Sequence, residues 1–192
     1  MNLFKKIYKL SHSLLDKWRR WKMNPIEYAR SLGIKVGKGC FFSTKDFPHE
    51  GYLIEIGDNV RIAYGTSFYT HGGMYGIRKY YNDPELEQFG KIKIGNFSSI
   101  GANCMIMPGV TIGENCIVGG GSIVTKSVPD GCMVAGNPAK FIGYTEDFYH
   151  NIKEKFDLQS SSMKEEEKKK FLLNLPEDKF VKKGFIKIPE KK

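Results

Sequence analysis

The sequence predicts a mainly β chain: a parallel β-helix with N-terminal and C-terminal helices. Three observations carry the prediction. Aliphatic residues recur every six positions at Ile94, Ile100, Ile106, Ile112, Val118 and Val124, and the same frame holds upstream at Ile56, Ile62 and Phe68. A glycine follows many of them, at Gly95, Gly101, Gly113 and Gly119. A slim residue stands four places after each aliphatic: Ser98, Cys104, Val110, Cys116, Ser122 and Val128, with Val60 and Thr66 in the earlier coil. A period of six matches neither a lone helix at 3.6 nor a simple strand at 2. It matches short extended segments joined by tight turns. Three hexads close one triangular coil, and coils stack about 4.8 Å apart through parallel pairing. Burial then grows with each added repeat. The aliphatic side chain points inward, the glycine admits a corner where φ turns positive, and the slim residue fits where the turn crowds the axis. Crossovers between parallel strands are normally right-handed, and the period alone does not set the hand.

Helices are expected on either side. Leu3, Phe4, Ile7, Leu10, Leu14, Leu15 and Trp18 fall at helical spacing among lysines and arginines. Such a basic amphipathic helix either lies on an anionic membrane face or packs its apolar stripe on the β-helix or on another subunit. A second helix has defined ends: Asn24 as cap, Pro25 in the first turn, Glu27 completing a capping box, and Gly33 as terminator. Beyond the repeat, Thr145–Asp157 patterns as an amphipathic helix. "MKEEEKKKFLLNL" patterns as another, with acids early and lysines late as the helix dipole favours, and Pro176 stops it. "GFIKIPEKK" suits a short strand or an ordered arm.

Composition fits a single soluble domain with appendages: 192 residues, 41% hydrophobic. The first twenty residues mix charges throughout and offer no signal-peptide core, and no apolar run reaches membrane-span length. Cys40, Cys104 and Cys116 occupy slim repeat positions, which suits buried thiols in a reducing cytoplasm better than disulfides or zinc. The net charge of +9 is uneven. Residues 1–22 hold seven basic residues against one acid, residues 23–143 eleven against ten, and residues 144–192 twelve against ten. The body is therefore nearly neutral and carries no nucleic-acid footprint.

The six-residue beat stops after Phe68 and resumes near Ile92. His71 stands where the chain leaves the coil, at the foot of a loop spanning residues 72–91. Loops of this length without periodicity are usually functional or disordered. The other histidines, His12, His49 and His150, sit in a basic helix, an inter-repeat loop and a C-terminal helix. An imidazole, ordinarily titrating near 6.5, suits the removal of a proton from a hydroxyl and its delivery to a departing thiol. Backbone N–H groups of an adjacent coil can stabilise an oxyanion. In the loop, Gly72, Gly73 and Gly76 let the chain turn away sharply, while Arg78, Tyr80 and Tyr81 can bind or stack on a polar sugar.

"IGNFSSIGANCMIMPGVTIGENCIVGGGSIVTKSVPDGCMVAGNPAKFIG" and "YLIEIGDNVRIAYGTSFYTHGG" resemble the hexapeptide-repeat acyltransferases, and more narrowly the sugar and polysaccharide O-acetyltransferases of the maltose and galactoside group. The likeness spans roughly residues 25–143 and is most specific in "PGVTIG", "GSIVTK" and "AGNPAK". It implies a left-handed β-helix, a homotrimer, and acetyl-CoA held as acyl donor in a cleft between neighbouring subunits, with no metal required. The resemblance puts the catalytic base at His71. By the same matching, Ala102 and Gly120 fall where backbone meets the pantetheine arm. Thr125 and Lys126 fall beside the adenosine end and its phosphates, with Lys140 adding charge there. Asp46 and the loop residues Arg78 and Tyr81 are candidates for binding the acceptor. Three positions depart from the pattern: Gly72 replaces an acidic residue that often follows the histidine, Ser99 replaces a tryptophan, and Gly143 stands near a usual arginine.

The expected organisation is an N-terminal helical segment (1–33), a β-helix acyltransferase domain (34–143) and a C-terminal helical extension (144–192). The expected reaction is direct acetyl transfer to a hydroxyl of a sugar or bacterial surface-polysaccharide precursor. The expected location is the cytoplasm, with residues 1–22 as the segment that would touch an anionic inner membrane face. The alternative within the enzyme class is N-acetylation of a nucleotide-linked amino sugar. A β-helix hydratase of the γ-carbonic anhydrase type would need three histidine ligands, and only His71 lies at a coil position. An inactive β-helix serving as an assembly module predicts no acetyl-CoA binding.

Overall fold

The computed structural model describes residues 14–185. The chain divides into two compact units after Thr145. The first is the expected prism, with three sheets as its sides. One side stacks β1 (Lys35–Val36), β3 (Ile54–Ile56), β6 (Ile92–Ile94) and β9 (Thr111–Ile112). The second stacks β2 (Phe41–Phe42), β4 (Arg61–Ile62), β7 (Ser99–Ile100) and β10 (Ile117–Val118), and ends in β12 (Cys132–Ala135) and β13 (Lys140–Tyr144). The third stacks β5 (Ser67–Phe68), β8 (Met105–Ile106) and β11 (Ile123–Val124).

Register explains how the repeat survives its interruption. Ile94 lies opposite Ile112, eighteen residues on, whereas Ile56 lies opposite Ile94, thirty-eight on. Twenty residues leave one coil and return without shifting the stack. Inward columns result: Ile62, Ile100, Val118 and Val134 on one side, and Phe68, Ile106 and Val124 on another, all buried. Slim polar residues stitch coil to coil. Ser98 Oγ donates to Gly113 O at 2.7 Å and accepts from Cys116 N at 2.9 Å. Thr66 Oγ1 donates to Gly101 O at 2.7 Å and accepts from Cys104 N at 3.2 Å.

The glycines after the aliphatics have a different purpose from the expected one. Positive φ falls instead on the second turn residue: Asn59, Gly65, Phe97, Asn103, Gly109, Asn115 and Gly121. Gly95 and Gly101 are required by close approach between coils. A Cβ on Gly101 would stand 2.5 Å from Gly120 N, and one on Gly95 2.5 Å from Glu114 N.

The N-terminal end is closed by α2 (Pro25–Ser31), which packs on β1 and β2. Its capping box forms as the sequence predicts. Asn24 Oδ1 accepts from the N–H groups of Ile26 and Glu27, and Asn24 N donates back to Glu27 Oε2. Gly33 follows with φ +86°. Residues 14–22 are helical (α1), and the start of the predicted N-terminal helix lies outside the described residues. Tyr28 Oη donates to Asp16 Oδ1 at 3.0 Å. Burial, with the Asp16 hydrogen bond and charge, pushes the Tyr28 phenol up to about 12.

At the other end the chain makes a hairpin. β12 pairs antiparallel with β13, with a register shift between Met133 and Val134. The second unit holds most of α4 (Thr145–Lys155) and α5 (Glu165–Leu173), the latter with three acids in its first turn. Most of "GFIKIPEKK" lies outside the described residues.

Candidate active site

Thr70 is fully buried at the end of the β5 coil and fixes the backbone that presents His71. The loop leaves and returns here. His71 bridges Phe89 in antiparallel fashion, and Gly90 N donates to Thr70 O at 2.7 Å. The loop is an arm with structure of its own, which its lack of six-residue periodicity conceals: residues Tyr75–Tyr80 form helix α3. Arg78 clasps the arm internally, Nε donating to Leu86 O at 2.5 Å and Nη2 to Glu87 Oε1 at 2.6 Å. The guanidinium is therefore committed to the arm, and the arm's exposed aromatic groups are Tyr75, Tyr80, Tyr81 and Phe89. The Tyr80 and Tyr81 rings meet edge to face, 4.8 Å apart.

A second segment runs beside this coil, twenty or twenty-one residues earlier in the chain. Ser67 Oγ donates to Asp46 Oδ2 at 2.5 Å. Phe47 stacks on Phe68 with centroids 5.2 Å apart. Glu50 Oε2 accepts from Thr70 Oγ1 at 3.1 Å and lies 3.4 Å from His71 Nδ1. Burial opposes the charge on Glu50. Hydrogen bonds from its own N–H and from Thr70, with the imidazoles of His71 and His49, outweigh burial and hold the carboxyl below its ordinary value of 4.5. Asp46 thus borders the coil that carries His71, and the group beside the imidazole is Glu50, which sequence reasoning missed. A signal existed: Glu50 stands three residues after Phe47, as His71 stands three after Phe68.

The residues matched to cofactor contacts fall in two places. Ala102 and Gly120 occupy one corner of successive coils, where Gly121 N donates to Ala102 O at 2.8 Å. Lys126 and Lys140, fourteen positions apart in sequence, line a single cleft of about 530 Å³ at the last coil. Phe141 and Tyr144 of β13 line it too, with ring centroids 5.0 Å apart, and sequence reasoning had not singled them out. Thr125 directly follows β11 at the same end. The cleft shares no residue with the cluster at His71. All four cysteines are free thiols, and burial pushes Cys104 and Cys116 up. Among the described residues, no cluster of His, Cys, Asp and Glu is placed to hold a metal ion. No described helix is long and apolar enough to cross a membrane.

A three-sided prism of six-residue repeats, broken once at a carboxylate-supported histidine, defines a hexapeptide-repeat β-helix protein. Residues 91–126 match the family model described as bacterial transferase hexapeptide (six repeats). Protein CapG of Staphylococcus aureus is 47% identical over 149 residues, 76% of this chain and 85% of CapG. The galactoside O-acetyltransferase of Escherichia coli (strain K12) is 35% identical over 124 residues, 64% of this chain and 59% of that protein. A solved hexapeptide-repeat-containing acetyltransferase from Vibrio cholerae shares the fold, with a TM-score of 0.53 at 21% identity, covering 75% of this chain and 94% of that one. The chain belongs to the hexapeptide-repeat transferase family. Its fold is the left-handed β-helix of that family, and it is an acetyltransferase.

Proposed function

We propose that the protein transfers an acetyl group from acetyl-CoA to a hydroxyl of a sugar or surface-polysaccharide precursor, with His71 as general base. The observation that carries this reading is the placement of His71: fixed by a buried coil end, backed by Glu50, and overhung by an aromatic arm. A carboxylate beside Nδ1 favours the tautomer with its proton on that nitrogen, leaving Nε2 to accept. The acceptor hydroxyl gives its proton to Nε2 as its oxygen attacks the thioester carbonyl. The new C–O bond forms, the C–S bond breaks, and the imidazolium returns the proton to the departing thiolate. Both substrates bind together, and no covalent enzyme intermediate is required.

Glu50 is a positioning residue in this scheme. Asp46, bonded to Ser67, and Tyr81, exposed on the arm, are the proposed acceptor contacts, and Arg78 holds the arm in shape. The donor's pantetheine arm would follow Ala102 and Gly120, and its phosphates would meet Lys126 and Lys140 beside Thr125. The proposed assembly is a homotrimer, as the resemblance implies, with one subunit's base facing donor contacts that include a neighbour's. The reaction belongs to the cytoplasm, where acetyl-CoA is made.

The deciding experiment incubates purified protein with labelled acetyl-CoA and a panel of neutral sugars, amino sugars and nucleotide sugars. Label on a neutral sugar, released by mild alkali, is expected. Label confined to the amine of a nucleotide-linked amino sugar would replace O-transfer with N-transfer. A monomeric sedimentation mass at micromolar concentration with full turnover would remove the shared-site arrangement.

A further inference from the structure

Helix α1 turns one side toward the β-helix and leaves the other open. Asp16 accepts the Tyr28 hydroxyl at 3.0 Å, and Arg20 O accepts from Lys45 Nζ at 2.5 Å. These positions, four apart, mark the inner side of the helix. Leu14, Trp18 and Trp21 follow an i, i+4, i+7 spacing and fall on the opposite side. They are 59%, 53% and 75% exposed. At 100° per residue, Lys17 and Lys22 flank this stripe, one on each border. Lys22 Nζ stands 4.8 Å from the Trp21 ring centre. The sole acid of residues 14–22 is Asp16, and its carboxylate is engaged on the inner side.

We propose that the Leu14–Trp18–Trp21 stripe docks the protein on an anionic lipid surface. The geometry suits an interfacial helix: indoles settle at headgroup level, the leucine enters the acyl boundary, and flanking ammonium groups reach lipid phosphates along their apolar stems. Charge complementarity selects this occupant over a second copy of the chain. Two copies meeting through the stripe would bring their own Lys17 and Lys22 borders together, whereas a phospholipid surface supplies the opposite sign.

The chain has two tryptophans, both on the stripe, so tryptophan emission, excited selectively over that of the tyrosines, reports on this surface alone. Full-length protein is titrated at low salt with vesicles of equimolar phosphatidylglycerol and phosphatidylcholine, and with pure phosphatidylcholine. A blue shift on the anionic vesicles alone, weakened by salt, is the expected result. Replacing Lys17 and Lys22 together by glutamine should weaken binding by roughly thirtyfold at low salt. An unchanged spectrum with no co-sedimentation on anionic vesicles overturns the proposal. So does an emission already blue-shifted without lipid that moves red on dilution, because a second copy would then cover the stripe.

Discussion

Glu50 Oε2 lies 3.4 Å from His71 Nδ1 while accepting the Thr70 hydroxyl at 3.1 Å. One carboxylate oxygen thus ties the imidazole to a fully buried threonine of the same coil. If His71 is the base and Glu50 orients it, the two substitutions should differ in degree. His71→Asn should lower kcat by about 10²–10⁴, the usual range for a positioned acid–base group. Glu50→Gln should lower it by about 10–100, as loss of an orienting partner does. Neither should change the KM for acetyl-CoA much. Imidazole nitrogen shifts in NMR spectra separate orientation from packing: the Nδ1–H tautomer should dominate in the wild type and lose ground in Glu50→Gln. Full turnover in His71→Asn would take the histidine out of the mechanism.

The same carboxylate makes stability depend on pH with a definite sign. Its folded value lies below the ordinary 4.5, because hydrogen bonds and neighbouring imidazoles outweigh burial. The contribution is therefore complete above about 4.5 and is lost as pH falls through the folded value. Melting curves of the wild type and Glu50→Gln should differ most near neutrality and converge under acid conditions. A gap that widens as the pH falls would reverse the assignment of the shift.

Most of the fold was legible in the sequence because each coil repeats one requirement. Ile62, Ile100 and Val118 fill the same column, so the same residue type returns every eighteen or thirty-eight positions. His71 was legible because it sits where that rule stops. Glu50 was not, because Phe42 and Phe47 are five apart, which takes the segment out of the six-residue frame. The β12–β13 hairpin was hidden for another reason: Phe141, Ile142 and Tyr144 remain exposed and leave no burial pattern to read. The glycines were assigned to the right places with the wrong physics, since contact between successive coils cannot be seen within one turn.

Phe97 offers a test of turn strain. It holds φ +59° where equivalent turns carry asparagine or glycine, and its ring is 57% exposed. A left-handed backbone costs a bulky residue roughly 1–2 kcal/mol. Phe97→Asn should therefore stabilise the protein by about 0.5–1 kcal/mol in urea unfolding, after allowance for lost ring contacts. A destabilised variant would mean that the ring is packed in the assembled protein and contributes more than the turn costs.

The lysine cleft separates donor binding from chemistry. Lys126 and Lys140 converge on one cavity with Phe141 and Tyr144, away from the His71 cluster. If they meet the donor's phosphates, Lys126→Ala and Lys140→Ala should each raise the KM for acetyl-CoA by about three- to fivefold, since exposed charge pairs contribute up to about 1 kcal/mol. The kcat should hold, because the imidazole and its Glu50 partner are untouched. Added salt should raise the wild-type KM and affect the double variant less, because screening acts on charges the variant no longer has. Acetyl-CoA lacking its 3′-phosphate should be a poorer donor for the wild type, and at least one single variant should discriminate less against it. If neither substitution changes the acetyl-CoA KM at low salt, the donor lies elsewhere and the cleft has no part in holding it.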